Sequence, residues 1–300
     1  MTLPKPKVLI LGGSGMLGHV LFRWLTRHSA YEVYATARSR EGLAFLPPQM
    51  MERVRVGVDA DNFDTIIRAL ASIQPDIVIN CIGLIKQLPL ASDPLSGITV
   101  NAQLPHRISL VCRTANARMI HISTDCVFDG KKGNYQEADV PNPQDLYGQT
   151  KFLGEVTYPH CITLRTSIIG HELKGRFGLV EWFLRQKKKT KGFTKAVFSG
   201  VPTIELARVI SDFVLPHKQL SGLYQVSSQP ISKYDLVRMI AEKYGKKIEI
   251  EPSDDVVIDR SLDSSLFQRK IGYRPPPWPE LIEMMHSDYM KAQEEFRCYL

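Results

Sequence analysis

A chain of 300 residues can bury one large core, or a nucleotide-binding unit with a smaller one appended. Its 44% hydrophobic and 23% charged residues exclude long disorder, and no apolar run reaches the roughly 18 residues of a membrane span. The net charge of +7 suits anionic ligands but is spread along the chain, which argues against nucleic-acid and membrane partners.

In chain order, β-branched and apolar runs at 7–11, 32–37, 54–58, 76–82, 119–123 and 161–165 predict strands. Leu17, Val20, Leu21, Trp24 and Leu25 predict an amphipathic helix after the first strand. Phe63, Ile66, Ile67 and Leu70 predict another, with Asn62 as its cap. A helix around 95–113 is expected to start or kink at Pro105. Strand-helix alternation with continuous apolar strands predicts an α/β fold: a doubly wound, parallel, Rossmann-type sheet with ligands at the carboxyl ends of its strands. Beyond residue 170 the alternation loosens. A basic helix-like stretch runs from Lys174 to Lys191, and the run Lys187-Lys188-Lys189-Thr190-Lys191 reads as a solvated helix end and loop. Leu206, Val209, Ile210, Phe213 and Val214 predict a helix, and Leu223 to Val226 a late strand. Ser232 opens a capped helix bearing Leu236, Val237 and Ile240, and Pro275 to Pro279 precede a last one.

Cys81, Cys112, Cys126, Cys161 and Cys298 are odd in number, widely spaced and without a C-x-x-C pair. They predict neither a zinc site nor a disulfide framework, and a reducing cytoplasm is the expected compartment. The eight histidines show no metal-ligand spacing, so no metal is expected.

Between the first strand and its helix lies Gly12-Gly13-Ser14-Gly15-Met16-Leu17-Gly18. Glycines at 12, 15 and 18 allow a tight turn, close backbone approach to a phosphate and close helix-strand packing, while the helix N-terminus points N–H groups at a pyrophosphate. Ser14, Met16 and Leu17 complete this dinucleotide cradle. The second strand ends in Arg38-Ser39-Arg40, where an NAD-selective site places an acid. Arg38 suits a ribose 2′-phosphate, so NADPH is expected over NADH. Asp59 ends the third strand and is a candidate for the adenine edge. Asn80, Cys81 and Gly83 end the fourth, near the phosphates and nicotinamide ribose. Asp59 and Asn80 serve equally well as turn residues.

Tyr147-Gly148-Gln149-Thr150-Lys151 places a phenol and an ammonium four residues apart on one helical face, after Asn142 as N-cap and Pro143 at the first position. A cation ~5 Å from a phenolate stabilises it by roughly 3 kcal/mol, enough to bring Tyr147 from ~10 toward neutrality. The fifth strand ends Ser123-Thr124-Asp125-Cys126-Val127-Phe128-Asp129-Gly130. Thr124 can polarise a substrate carbonyl; Asp125 can hold a sugar hydroxyl or shape the turn. No G-x-S-x-G elbow accompanies Ser123 or Thr124, which excludes a serine hydrolase of that type. Cradle and Tyr/Lys pair together predict hydride transfer with a tyrosine handling the proton. Residues 1–169 and 203–226 are accordingly assigned to a dinucleotide-binding domain, and 170–202 and 227–300 to a smaller mixed α/β substrate domain.

With Leu164-Arg165-Thr166-Ser167, these motifs resemble the extended short-chain dehydrogenase/reductases, and specifically their dTDP-4-dehydrorhamnose reductase branch. The resemblance covers most of the first 170 residues and continues more weakly beyond. It implies Thr124, Tyr147 and Lys151 as the catalytic trio, with Tyr147 and Lys151 also contacting the cofactor. It implies a nucleotide-linked 4-keto-6-deoxyhexose as substrate, in cell-surface polysaccharide precursor synthesis. Thr124, Asp125, Ile168 and Arg260 are its implied contacts, and a homodimer fits the branch. Cys126 stands where the branch tends to have tyrosine, and Ile168 where it tends to have tryptophan. These departures point to a sister group acting on a UDP-linked 2-acetamido-2,6-dideoxy-4-ketohexose. A related dehydratase would need a glutamate where Cys126 stands. A 4-epimerase needs little beyond Tyr and Lys, and the NADP-binding regulatory subunit of methionine adenosyltransferase is similar to the branch; both stand as alternatives.

Overall fold

The computed structural model describes residues 4–43, 46–86, 93–173 and 176–297. The chain runs through β1 (Lys7–Leu11), α1 (Met16–His28), β2 (Glu32–Ala37), α2 (Pro48–Met51), β3 (Val54–Val56), α3 (Phe63–Ile73), β4 (Ile77–Asn80), α4 (Pro94–Gly97), α5 (Leu104–Thr114), β5 (Arg118–Thr124), α6 (Leu146–Leu153) and β6 (Cys161–Thr166). It continues with β7 (Ile168–Ile169), α7 (Leu179–Arg185), β8 (Lys189–Phe193), β9 (Ala196–Phe198), β10 (Val201–Pro202), α8 (Thr203–Val209), β11 (Gly222–Gln225), β12 (Ile231–Ser232), α9 (Lys233–Lys243), β13 (Glu249–Ser253), β14 (Ile258–Asp259), α10 (Ser265–Ile271) and α11 (Trp278–Arg297).

Seven strands form one parallel sheet in the order β11-β6-β5-β4-β1-β2-β3. The chain winds outward from β1 in one direction, then from β4 in the other. The crevice between β1 and β4 is thus the topological switch point, where such sheets bind ligands. Both faces are covered, as the continuous apolar strands require. Val8, Ile10 and Ile79 pack with Leu17, Leu21, Ile204 and Leu206 on one side. Leu9, Leu11 and Val78 pack with Ile66, Leu70, Leu104 and Ile108 on the other. Each of these buried side chains contributes roughly 1.5–3 kcal/mol. A third cluster joins Phe183, Phe198, Leu236, Ile240, Trp278 and Leu281 from the later elements. Those elements also form a three-stranded sheet, β12-β9-β14, and two short strand pairs, β10-β7 and β13-β8.

The six early strands and the late one fall where their apolar runs predict them. Pro105 occupies the first turn of α5, just after a π-helical stretch at Ile98–Gln103. Pro105 cannot donate to the helical ladder, and the change from π- to α-helical turns falls beside it. The basic stretch is not one helix. Only α7 is helical, and Lys189 and Lys191 stand on β8, which pairs with β13. They reach Glu251 at 3.0 Å and Asp255 at 2.6 Å. A lysine run alternates as readily on a strand edge as on a helix, and the partner strand decides. Lys174 and Cys298 lie outside the described residues. Among those described, no helix is long and apolar enough to cross a membrane, and no cluster of His, Cys, Asp and Glu is placed to hold a metal.

Candidate functional site

The glycine turn sits at the switch point and is shaped by close backbone contact. Gly12 has φ 84°, a left-handed conformation, and its N–H donates to Thr36 Oγ1 at 3.2 Å. A Cβ on Gly18 would lie 2.1 Å from the Gly12 carbonyl oxygen, so no larger residue fits between α1 and the turn. The helix N-cap is the exposed Gly15, with no side chain capping it. The N–H groups of Met16, Leu17 and Gly18 therefore open the helix without side-chain acceptors, beside half-buried Ser14. An uncapped positive helix end above bare glycines fits a dinucleotide pyrophosphate.

Arg38 is exposed just past β2, and its carbonyl accepts the Gly57 N–H, which ties the two loops at that edge. Asp59 is half-buried and partly committed, since its Oδ1 accepts the Asp61 N–H at 3.2 Å. The Asn80 side chain is committed further. It accepts from the Ile82 N–H at 3.1 Å and donates to His121 Nδ1 at 3.2 Å, so it shapes the turn after β4. Cys81 is half-buried, and burial pushes its thiol up to about 12 against the pull of Lys151. Gly83 faces both Asn101 and Lys151: a Cβ there would lie 3.4 Å from Asn101 Oδ1 and 4.0 Å from Lys151 Nζ. The end of β4 thus runs from the cradle to the lysine.

Thr124 closes β5, and a single 3₁₀ turn at Asp125–Val127 follows it. Its hydroxyl accepts the Cys126 N–H at 3.1 Å and donates to Asp125 Oδ1 at 3.2 Å, and the Tyr147 phenol lies close enough for Thr124 to favour its charged form. Tyr147 reaches it because α6 packs directly on this turn. A Cβ on Gly148 would lie 2.3 Å from the Cys126 carbonyl oxygen and 2.8 Å from Pro143 Cβ. The helix begins at Leu146, and its cap is Asp145, whose Oδ1 accepts the Gly148 N–H at 2.8 Å. Asn142 is not the cap. Its Oδ1 is taken by the Asp129 N–H at 2.9 Å.

Lys151 is buried, and its ammonium donates to the Ile122 carbonyl at 2.7 Å. Burial brings it down to about 8, while Glu155 and Cys81 act upward. The expectation that Lys151 draws Tyr147 toward neutrality is corrected here. Burial raises the phenol, Cys126, Asp125 and Asp145 act the same way, and the nearby Thr124 hydroxyl opposes them. At rest the lysine gives a hydrogen bond to a strand carbonyl and the phenol is desolvated, so Tyr147 holds its proton at neutral pH.

Asp125 is buried and raised by desolvation, with Arg260 pulling it down. Arg260, just past β14, donates from Nε to the Phe128 carbonyl at 2.8 Å and reaches Cys126 Sγ from Nη1 at 3.5 Å. Thr124, Asp125, Tyr147, Lys151 and Arg260 are thus joined around one turn, with Cys126 at its centre. Ile168, half-buried on β7, packs against the core that Leu164 and Val201 share. The thiols of Cys81, Cys112, Cys126 and Cys161 are free.

Three side chains at this site carry no sequence signal of their own. Asn101 sits on the π-helical stretch, where its Oδ1 accepts the Leu84 N–H at 2.8 Å and its Nδ2 approaches Thr150 Oγ1 at 3.4 Å. π-Turns mark functional positions but have no apolar period to betray them. His121 lies buried in β5. Glu155 accepts from Ser123 Oγ at 2.7 Å and takes a two-pronged bond from Arg165 at 2.7 and 2.8 Å.

The chain is 31% identical over 304 residues to the probable low-salt glycan biosynthesis reductase Agl14 of Haloferax volcanii, covering 93% of this chain and 98% of that protein. It is 24% identical to a dTDP-4-dehydrorhamnose reductase of Aggregatibacter actinomycetemcomitans, covering 94% and 98%. The fold matches that of a Bacillus anthracis dTDP-4-dehydrorhamnose reductase solved in complex with NADP, with a TM-score of 0.79 at 21% identity over 96% of this chain and 100% of that one. Residues 6–290, which span the glycine cradle, the turn after β5 and the helices that close over it, match the RmlD substrate binding domain, and the chain belongs to that family.

Proposed function

We propose that the protein is an NADPH-dependent reductase of a nucleoside-diphosphate-linked 4-keto-6-deoxyhexose, acting in the cytoplasm on precursors of a cell-surface polysaccharide. The carrying observation is the packing of α6 on the turn at the carboxyl end of β5, which sets the Tyr147 phenol within the influence of Thr124 and, one helical turn on, buries Lys151 with its ammonium on the Ile122 carbonyl. The relatives' names, a dTDP-4-dehydrorhamnose reductase and a glycan biosynthesis reductase, support the same reading.

When bound, the nicotinamide supplies the hydride. The chain does the rest. The open first turn of α1 and the bare glycines hold the pyrophosphate, and Arg38 meets the 2′-phosphate that distinguishes NADPH. Thr124 donates a hydrogen bond to the substrate carbonyl and polarises it. Tyr147, neutral because it is buried, gives its proton to the oxygen as charge develops there. The Lys151 ammonium stabilises the phenolate left behind. Asp125 and Arg260, 135 positions apart in the sequence, hold the sugar and its diphosphate. Residues 170–202 and 227–300 form the part that carries the sugar nucleotide.

Cys126 and Ile168 are smaller than the tyrosine and tryptophan usual in the branch, and on that basis the substrate is the UDP-linked 2-acetamido-2,6-dideoxy-4-ketohexose. NADPH oxidation with the dTDP- and UDP-linked 4-keto sugars tests this. Turnover of the UDP sugar, abolished by Tyr147→Phe, is the expected result. Exclusive turnover of the dTDP sugar refutes the choice of sugar. NADPH binding without any consumption refutes the reductase and leaves the epimerase or a partner-binding subunit.

A further inference from the structure

Lys151 is a buried ammonium, and four residues on stands a buried carboxylate. Tyr147 and Lys151 share one face of α6, and Glu155 follows just past its C-terminal cap, Gly154. Both charged groups are anchored to the last residues of β5. Lys151 Nζ donates to the Ile122 carbonyl at 2.7 Å, and Glu155 Oε1 accepts from the neighbouring Ser123 hydroxyl at 2.7 Å. Thr124 comes next in that strand.

Glu155 is held more tightly than packing requires. Its side chain is 5% exposed and that of Arg165 is 4% exposed. The guanidinium grips both carboxylate oxygens, from Nε at 2.7 Å and Nη2 at 2.8 Å, while its face lies over the Phe128 ring at 5.2 Å. A buried ion pair contributes little net stability, because desolvation offsets its attraction. This pair therefore calls for another explanation. Its neighbours are Glu137, which feels Arg165, and Lys151, whose ammonium is anchored one residue along β5 from the Ser123 that holds Glu155.

The groups around that ammonium are few. Glu155 is the largest influence keeping its proton on, followed by the Cys81 thiol, while burial acts to remove it. Buried His121 is held far below its ordinary value by desolvation and by Lys151, so it is neutral. Tyr147 is neutral as well. Arg165 is the other cation, and it is already bound to Glu155.

We propose that Glu155 is a positioning residue for proton transfer: locked by Arg165 and Ser123, its carboxylate keeps Lys151 an ammonium and so sets the pH range in which the Tyr147–Lys151 pair works. This rests on reading Tyr147 and Lys151 as the catalytic pair, but the charge state of Lys151 can be read without turnover.

The experiment is an Nζ-detected NMR titration of the full-length protein carrying labelled lysine, with the Lys151 signal assigned by Lys151→Arg. The wild-type midpoint is expected near 8. Glu155→Gln lowers it by about one pH unit or more, and Arg165→Met, which removes the competing cation, raises it. An unchanged midpoint in folded Glu155→Gln overturns the proposal. Should that variant fail to fold, Arg165→Met alone, which leaves the carboxylate without its competing cation, carries the test, and a midpoint that does not rise there overturns the proposal equally. In turnover, the Glu155→Gln loss in kcat is up to about tenfold greater at pH 8 than at pH 6.5, and Glu155→Asp restores it; an equal loss at both pH values marks a structural role alone and also overturns the proposal. A wild type without NADPH turnover whose Lys151 midpoint still follows Glu155 refutes the reductase and leaves this inference standing.

Discussion

Replacing Gly148 by alanine separates the packing of α6 from its stability. The new methyl would sit 2.3 Å from the Cys126 carbonyl oxygen and 2.8 Å from Pro143 Cβ. The first of these neighbours is backbone of the turn that carries Thr124 and Asp125. Helix and turn must move apart by roughly 1 Å to restore ordinary contact. Overpacking of this kind costs about 1–3 kcal/mol, while alanine in place of glycine inside a helix returns about 1 kcal/mol. The net loss of stability is then roughly 0–2 kcal/mol, a few degrees in Tm. Catalysis suffers far more, because Tyr147 is drawn off Thr124, and a displacement of about 1 Å at reacting groups costs on the order of 10² in rate. The assays are NADPH oxidation, thermal melting and NADPH binding by fluorescence. Expected are a kcat reduced about 100-fold, a Tm within a few degrees of wild type, and unchanged NADPH affinity. A kcat within about twofold of wild type refutes the claim that this contact positions the phenol.

Gly18→Ala is expected to abolish NADPH binding, since its methyl would lie 2.1 Å from the Gly12 carbonyl oxygen; isothermal titration checks this, and retained affinity removes the glycine turn as the cradle. Arg38→Ala is expected to raise KM for NADPH about tenfold with little change for NADH, and equal effects on both would place Arg38 away from the 2′-phosphate. His19 is buried and brought down to about 3 by desolvation and by Arg23, so folding favours its neutral form. Its contribution is complete above the unfolded value of ~6.5 and is lost as the pH falls toward 3, reaching about 2 kcal/mol between pH 7 and pH 5. Urea melts at those two pH values should show His19→Gln losing less over that interval than wild type, and identical losses would contradict the assignment.

The sheet was legible because its signals are local. Val8 to Leu11 and Ile77 to Asn80 are continuous apolar runs, and only a strand covered on both faces uses such runs. The cradle was legible for the same reason, since strand, glycines and helix adjoin in sequence. Residues joined across the fold were harder to read. Asn142-Pro143 has every local mark of a helix start, yet the Asp129 N–H captures Asn142 from thirteen residues away, and Asp145 takes the role with Lys86 at 2.6 Å behind it. The charge state of Tyr147 went the other way from the spacing argument because spacing fixes separation but not desolvation, and desolvation dominates here. Glu155 and Asn101 were invisible as functional residues: the first needs Arg165 from β6, and the second needs the extra residue of a π-turn.

The strand order has a consequence for how the chain is made. β6 ends at Thr166, but its outer neighbour β11 does not begin until Gly222. Until then the β6 edge is an open row of backbone donors and acceptors on an apolar strand, which is the form that pairs with foreign chains. At ordinary rates of synthesis that interval lasts on the order of 3–11 s. The newborn protein therefore carries an unpaired edge through this window, and fragments that end between Thr166 and Gly222 should aggregate even though they contain the cradle, Thr124, Tyr147 and Lys151.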